Sequence, residues 1–141
     1  MKNSSWLAGV AIGVLMAVGC ASGPQAIRMR TSLAIPAAQG TVKASSGKNG
    51  NTSLVIDVRH LAPPERVAAG ATTYVVWAQP LGEGSPQNLG ALRVDEDLRG
   101  TLATVTPLRS FDLFITAEAS ATQMEPTNDQ LFSASIPASG R

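Results

Sequence analysis

The sequence contains one cysteine and one histidine, Cys20 and His60, among 141 residues. A single cysteine excludes an internal disulfide bond and every metal site that needs several thiolates. A single histidine excludes a blue-copper centre, which needs two, and any Ser-His-Asp triad would have to use His60. The closest approach to a nucleophile elbow, residues 82–86, lacks the final glycine of Gly-x-Ser-x-Gly. We therefore interpret His60 as a hydrogen-bonded loop histidine and expect no cofactor.

Charge is also sparse in this sequence. Charged residues make up 15% of the chain, against roughly 25% in soluble domains. The net charge is +1, and no block of like charge occurs. The sequence therefore offers no electrostatic footprint for nucleic acid and none for an anionic membrane surface. Apolar residues, at 44%, are sufficient for the core of one domain.

The chain has no apolar run long enough to span a membrane as a helix, which takes about 20 residues. Residues 6–18, which are apolar apart from their glycines, instead fit the hydrophobic region of a signal peptide. Residues 17–20 then read Ala-Val-Gly-Cys, which resembles the lipobox of bacterial lipoproteins. In that family the peptidase cuts before the cysteine, whose thiol and new amino terminus are acylated. The resemblance implies a signal peptide over residues 1–19 and a lipid anchor on Cys20.

The lipobox resemblance departs at Ala17, where the family prefers leucine. The alternative is an ordinary signal peptide followed by a free thiol. Ala21 is not the aspartate that the family associates with inner-membrane retention, so the resemblance implies an outer-membrane anchor facing the periplasm, with the membrane as partner through acyl chains on Cys20. Residues 20–39 are predicted to form a lipidated tether, in which Ser32 to Ile35 can join the sheet.

Residues 40–137 are predicted to form an all-β domain, followed by a tail over residues 138–141. The segment from Thr72 to Pro80 has apolar residues on both faces, which indicates a central strand covered on two sides. The pair Asn49-Gly50 between two β-like runs predicts a hairpin. Short strands separated by frequent turns are typical of an antiparallel sandwich. About seven strands are predicted, over residues 41–46, 51–61, 72–79, 89–94, 102–106, 110–118 and 131–136.

The order of features from Tyr74 onward is similar to that of a known family. A Tyr-x-x-Trp strand is followed by residues 88–92, an acidic turn that ends at Gly100, and the strand 111–118. This order resembles the extracytoplasmic carboxy-terminal domain of anti-sigma-K factors, which is an immunoglobulin-like β-sandwich. The resemblance covers about half of the chain and implies the fold. Since the sequence shows neither the sigma-binding domain nor the membrane helix of that family, we do not extend sigma-factor control to this chain.

The acidic residues do not match the spacing of a calcium-binding loop or of a glycosidase carboxylate pair. Residues 95–97 begin like a calcium loop, but Thr106 stands where that loop needs a bidentate glutamate, so we predict a solvated hairpin turn. Asp112 and Glu118 share one strand face but lie roughly 20 Å apart, too far for a glycosidase pair unless Glu125 contributes. Aromatic residues, at 4% of the chain, are needed for the core, so we predict that they pack there and do not form a stacking platform.

These observations favour a non-enzymatic, lipid-anchored envelope lipoprotein whose sandwich serves as an interaction or structural module. Its expected partners are the membrane and an envelope protein, and we expect no nucleic acid. The alternative is a periplasmic ligand-binding module that uses a patch of the loops 63–70, 81–88 and 119–128, because sandwich domains usually bind through loops at one end. An enzyme is the third possibility, and it would need carboxylates that converge in a cleft.

Overall fold

The computed structural model describes residues 24–138. The predicted signal peptide, the acylation of Cys20 and residues 139–141 lie outside this range. The described chain is all-β, as predicted, and no helix within it is long and apolar enough to cross a bilayer. It contains one short α-helix, α1 (Pro64–Val67), a single 3-10 turn at Lys48–Gly50, and nine strands. The strands are β1 (Gln25–Arg28), β2 (Arg30–Thr31), β3 (Gln39–Ser46), β4 (Thr52–Arg59), β5 (Thr73–Pro80), β6 (Gln87–Val94), β7 (Gly100–Thr106), β8 (Phe111–Glu118) and β9 (Phe132–Ile136).

The strands form one nearly closed antiparallel sheet in the order β1-β3-β4-β7-β6-β5-β8-β9-β2. Its two ends, β1 and β2, are separated in the chain by Met29 alone. We call β1, β3, β4 and β7 the front half, and β5, β8, β9 and β2 the back half. Strand β6 joins them, because residues 87–92 pair with β5 whereas Arg93 and Val94 pair with β7. Each half therefore has an inner face toward the core and an outer face.

The predicted hairpin between β3 and β4 is confirmed. Asn49 and Gly50 have φ values of 64° and 76°, the left-handed conformation that this residue pair tolerates. The strands on either side pair in register from Ser46 opposite Thr52 to Gln39 opposite Arg59. The position of this turn fixes which side chains of β3 and β4 face the core.

The amino-terminal segment differs from the predicted tether. Residues 25–28 pair with β3 and residues 30–31 pair with β9, so the sheet begins inside the region that was assigned to the tether. Ile27 and Met29 alternate with arginines and pack on the core, and Met29 is 3% exposed. Ser32 to Ile35, predicted as the segment able to join the sheet, instead forms a turn closed by the Ile35 amide donating to the Ser32 carbonyl at 3.1 Å.

Strand β5 is the central strand, as predicted. It lies between β6 and β8, and its residues 74–78 are all buried. Tyr74, Val76 and Ala78 belong to the main core between the halves. Val75 and Trp77 point to the opposite side and form a second, small cluster with Phe114 of β8. The outer face of the back half is therefore also buried at its centre.

Candidate functional site

A segment that we call the strap, residues 119–131 between β8 and β9, covers part of the outer face of the back half. The Asn88 side-chain amide on β6 donates to the carbonyls of Ala121 at 3.0 Å and Gln123 at 2.9 Å. At the other end of the strap, the Leu131 amide donates to the Ile115 carbonyl at 2.8 Å. The strap is therefore held to β6 near its beginning and to β8 at its end.

The aromatic residues beneath the strap are part of the packing, as predicted. Trp77 is fully buried and Phe114 is 5% exposed. Their rings stack with centroids 6.4 Å apart and an angle of 19° between the planes. Trp77 Nε1 donates to Thr116 Oγ1 at 2.9 Å, which satisfies the indole N–H under the strap. These rings therefore cannot serve as an open stacking platform.

Glu118 is a fully buried carboxylate that holds the strap to β8. Its Oε1 accepts from Thr116 Oγ1 at 2.7 Å and from the Thr127 amide at 2.9 Å, and its Oε2 accepts from Thr127 Oγ1. Burial raises the pKa of Glu118, but the hydrogen bonds from Thr116, Thr127 and Asn128 together outweigh it and lower the pKa below its usual value. The group is therefore ionised at neutral pH and acts as a structural anchor.

A groove of about 700 Å³ lies between the strap and the seam where the sheet fails to close. Ile27 of β1 and Ala134 of β9 both line it, although neither strand pairs with the other. Its floor is the outer face of β8 and β9. The polar or aromatic residues that line it are Arg28, Arg30, Gln79, Asp112, Phe114, Asn128, Gln130, Ser133 and Ser135.

The groove contains side chains of both negative and positive charge. Asp112 Oδ1 accepts from Ser135 Oγ at 2.7 Å, and Arg30 lies opposite Ser133 in the β2–β9 register. Among residues 24–138 neither Arg28 nor Arg30 forms an ion pair. One carboxylate beside two guanidinium groups suits recognition of a polar or anionic segment.

The loops expected to form a binding patch are only partly together. Loop 63–70 precedes β5 and loop 81–88 follows it, so these two loops lie at opposite ends of that strand. The three-loop patch is therefore wrong. Pro86 and Pro126 both line the groove, which places the loops 81–88 and 119–128 at one site. His60 follows β4 with φ 55° and does not line the groove.

The acidic segment 95–97 forms a hairpin turn, as predicted. Asp95 Oδ1 accepts from the amides of Asp97 at 3.0 Å and Arg99 at 2.9 Å, which closes the turn between β6 and β7. No group of three or more histidine, cysteine or acidic side chains suited to a metal ion occurs within the part of the chain that the structure describes.

Comparisons with protein-family models, curated proteins and solved structures found no match to this chain.

Proposed function

We propose that this chain is a non-enzymatic, lipid-anchored lipoprotein of the bacterial envelope whose β-sandwich binds an envelope protein. The groove on the back half is the observation that carries the binding role. It is open, it is bordered by sheet edges that have no partner strand there, and its two arginines form no ion pair within residues 24–138. Such a groove suits an extended polar segment of a partner.

The immunoglobulin-like sandwich is part of this proposal. In favour of it, β4 pairs with β7 and β5 pairs with β8, and each pair joins strands that are distant in the sequence. Pairings of this kind are typical of the Greek-key connections in immunoglobulin-like domains. The two halves of the sheet would be the two layers, with β6 and the β1–β2 segment passing between them. Regulation of a sigma factor is not part of the proposal.

Site-specific photo-crosslinking in intact cells tests the binding role. We expect a photoreactive side chain at Ser133, in the groove, to yield one discrete adduct with an envelope protein. The same group at Ser46, an exposed serine at the end of β3 in the front half, serves as the control and should not yield it. Arg30→Glu should remove the Ser133 adduct. An identical adduct from both positions, or none from Ser133, would contradict a partner in the groove.

Binding of a small ligand is the second candidate function, and the size of the groove favours it. Its volume of about 700 Å³ lies within the range of small-molecule sites. The two arginines would select an anionic group, since guanidinium binds carboxylate and phosphate in a bidentate manner. In a thermal-shift screen of small anions, a ligand of this site should raise the melting temperature of the wild type but not that of Arg30→Ala. A ligand that stabilises both equally binds elsewhere.

The lipid anchor is supported by the position of Cys20 directly after the hydrophobic region of the signal peptide. If Cys20 is acylated, cells grown with labelled palmitate should incorporate the label into the wild type and not into Cys20→Ala. Membrane fractionation should then place the labelled protein in the outer membrane. Label in both proteins would mean that acylation occurs at another residue.

A further inference from the structure

The fold gathers cationic side chains that are scattered through the sequence onto the outer face of the front half. One row crosses five strands, because Arg28 is opposite Thr41, Thr41 opposite Asp57, Asp57 opposite Thr101, and Thr101 opposite Arg93. Residues directly opposite each other in a sheet point to the same face. Both ends of this row are therefore arginines on one surface.

Three more cations lie beside this row. Lys43, Arg59 and Arg99 line a depression of about 360 Å³ together with Arg28 and Asp57. Asp57 forms ion pairs with Arg99 and, at 3.5 Å, with Arg59. The face thus carries five cationic side chains around one carboxylate. The acidic turn 95–97 follows β6 and borders the cationic patch next to Arg99.

The other part of the same face is apolar. Val55 is 50% exposed and Val105 is 56% exposed, and Ala103 is exposed opposite Val55. The strap covers the centre of the outer face of the back half, but among the described residues no comparable segment covers the valines of the front half. We call this surface, with its cationic row and its exposed valines, the front face.

The described part of the chain begins beside the front face. Gln25, which pairs with Ala44 beside Lys43, lies five residues after Cys20. Five extended residues span at most roughly 18 Å. An acyl group on Cys20 would therefore hold the bilayer within that distance of the β1 edge, and a small rotation of the domain brings the cations within a Debye length of about 8 Å.

We propose that the front face docks on the surface of a bilayer that contains anionic phospholipids, with the cations on the headgroups and Val55 and Val105 at the interface. This inference rests on the proposed acyl anchor. The combination of cations with exposed valines favours a lipid surface, since interfacial binding uses both electrostatic attraction and apolar burial. A purely acidic protein or polysaccharide would make no use of the valines.

Quenching by acrylamide in reconstituted vesicles tests the docking, because this neutral quencher is not repelled by an anionic surface. The mature protein with Val55→Cys carries a fluorophore at residue 55 and is placed in vesicles of phosphatidylcholine, with or without phosphatidylglycerol. We expect quenching to fall roughly threefold when phosphatidylglycerol is present, and to recover at about 1 M salt, where the Debye length is about 3 Å. Equal quenching in both kinds of vesicle, or protection that persists at high salt, would overturn the proposal.

Charge variants and flotation separate docking from anchoring. Lys43→Glu with Arg93→Glu should abolish the protection, whereas Arg30→Glu with Arg66→Glu, which changes the net charge equally away from the front face, should preserve it. Flotation with pure phosphatidylcholine vesicles reports the anchor alone. Flotation there without protection by phosphatidylglycerol overturns docking and leaves the anchor intact. If the protein does not float with phosphatidylcholine vesicles, the anchor is wrong. In that case, salt-sensitive flotation with vesicles that contain phosphatidylglycerol would still support docking. If the protein does not float with those vesicles either, docking is overturned as well.

Discussion

Glu118 is the residue on which the attachment of the strap chiefly depends. Its carboxylate is fully buried, accepts hydrogen bonds from Thr116 and Thr127, and is linked through Thr116 to the indole of Trp77. Every side-chain nitrogen or oxygen that is buried within the described residues has a hydrogen-bond partner. A substitution of any residue in this hydrogen-bond network therefore leaves another buried polar group without its partner. That group then costs its full desolvation penalty.

Glu118→Gln tests this network and its pH dependence. The pKa of Glu118 is lowered in the folded protein, so the carboxylate stabilises the fold above the unfolded-state pKa of about 4.3, and this contribution is lost as the pH falls through the lowered pKa. At pH 7 we expect the variant to lose about 1 to 3 kcal/mol of unfolding free energy. Urea unfolding of both proteins at neutral and acidic pH should show the difference shrinking with acid.

Asp57→Asn is the control for that titration. The pKa of Asp57 is also lowered, chiefly by its hydrogen bond with Arg99, but its ion pairs are solvent-exposed. Exposed pairs contribute about 0 to 1 kcal/mol, so this variant should change the acid dependence less than Glu118→Gln does. A Glu118→Gln penalty of the same size at both pH values would show that shape, and not charge, holds the strap.

At the scale of elements, the crossing of the amino-terminal segment from β3 to β9 depends on a close approach at Gly40. A Cβ atom there would lie 3.0 Å from Phe132 Cδ1 and 3.1 Å from Met29 Sδ. We predict that Gly40→Ala lowers the unfolding free energy by about 1 to 3 kcal/mol, because a core side chain must shift. Chemical denaturation measures it, with exposed Gln39→Ala expected to stay within about 0.5 kcal/mol. A neutral Gly40→Ala would mean that Met29 moves aside freely.

The strap should open locally when its bond to β6 is removed. Asn88→Ala removes both side-chain hydrogen bonds to the carbonyls of Ala121 and Gln123. We expect amide hydrogen exchange over residues 119–126 to rise while exchange in β5 and β8 is unchanged, since local opening does not require global unfolding. Gln87→Ala on the same strand is the matched control. Equal acceleration in β5 would show that the strap and the sheet open together.

Strands whose side chains alternate over seven or eight residues could be predicted from the sequence. Leu54, Ile56 and Val58 mark β4 in this way, and all three are buried. Strands β1 and β2 were missed, because four and two residues interrupted at Met29 are too few for a periodic signal. Their partners, β3 and β9, lie far apart in the chain. Only the folded sheet shows that one short segment pairs with both.

The groove and the burial of the charged Glu118 could not be predicted from the sequence, because both depend on contacts between distant segments. Alternation along β8 predicts that Glu118 faces solvent, and this prediction is wrong, because Glu118 lies on the outer face of the strand but is fully buried. A loop of low hydrophobicity folds over it, and periodicity within β8 carries no information about that loop. The same loop supplies Pro126 and Asn128 to the groove.

At the scale of the whole molecule, the two outer faces differ. The strap covers part of the back half and leaves the groove open beside it, whereas the front half exposes cations and valines. Arg28, Asp57 and Arg93 are about thirty residues apart in the sequence, and only strand register places them in one row. For this reason the linear order of residues contains no indication of an anionic membrane surface. Docking of the front face would leave Arg30 and the strap side of the groove open to a partner, whereas Arg28 borders both sites.

The most direct test of this account is the mass of the mature amino terminus. The protein is isolated from membranes, digested, and its amino-terminal peptide is weighed beside that from Cys20→Ala. If Cys20 is acylated, the wild type yields a peptide that begins at Cys20 and carries the mass of two or three acyl chains, and the variant yields no such peptide. An amino-terminal peptide with an unmodified thiol, or one that begins at another residue, would contradict the lipid anchor.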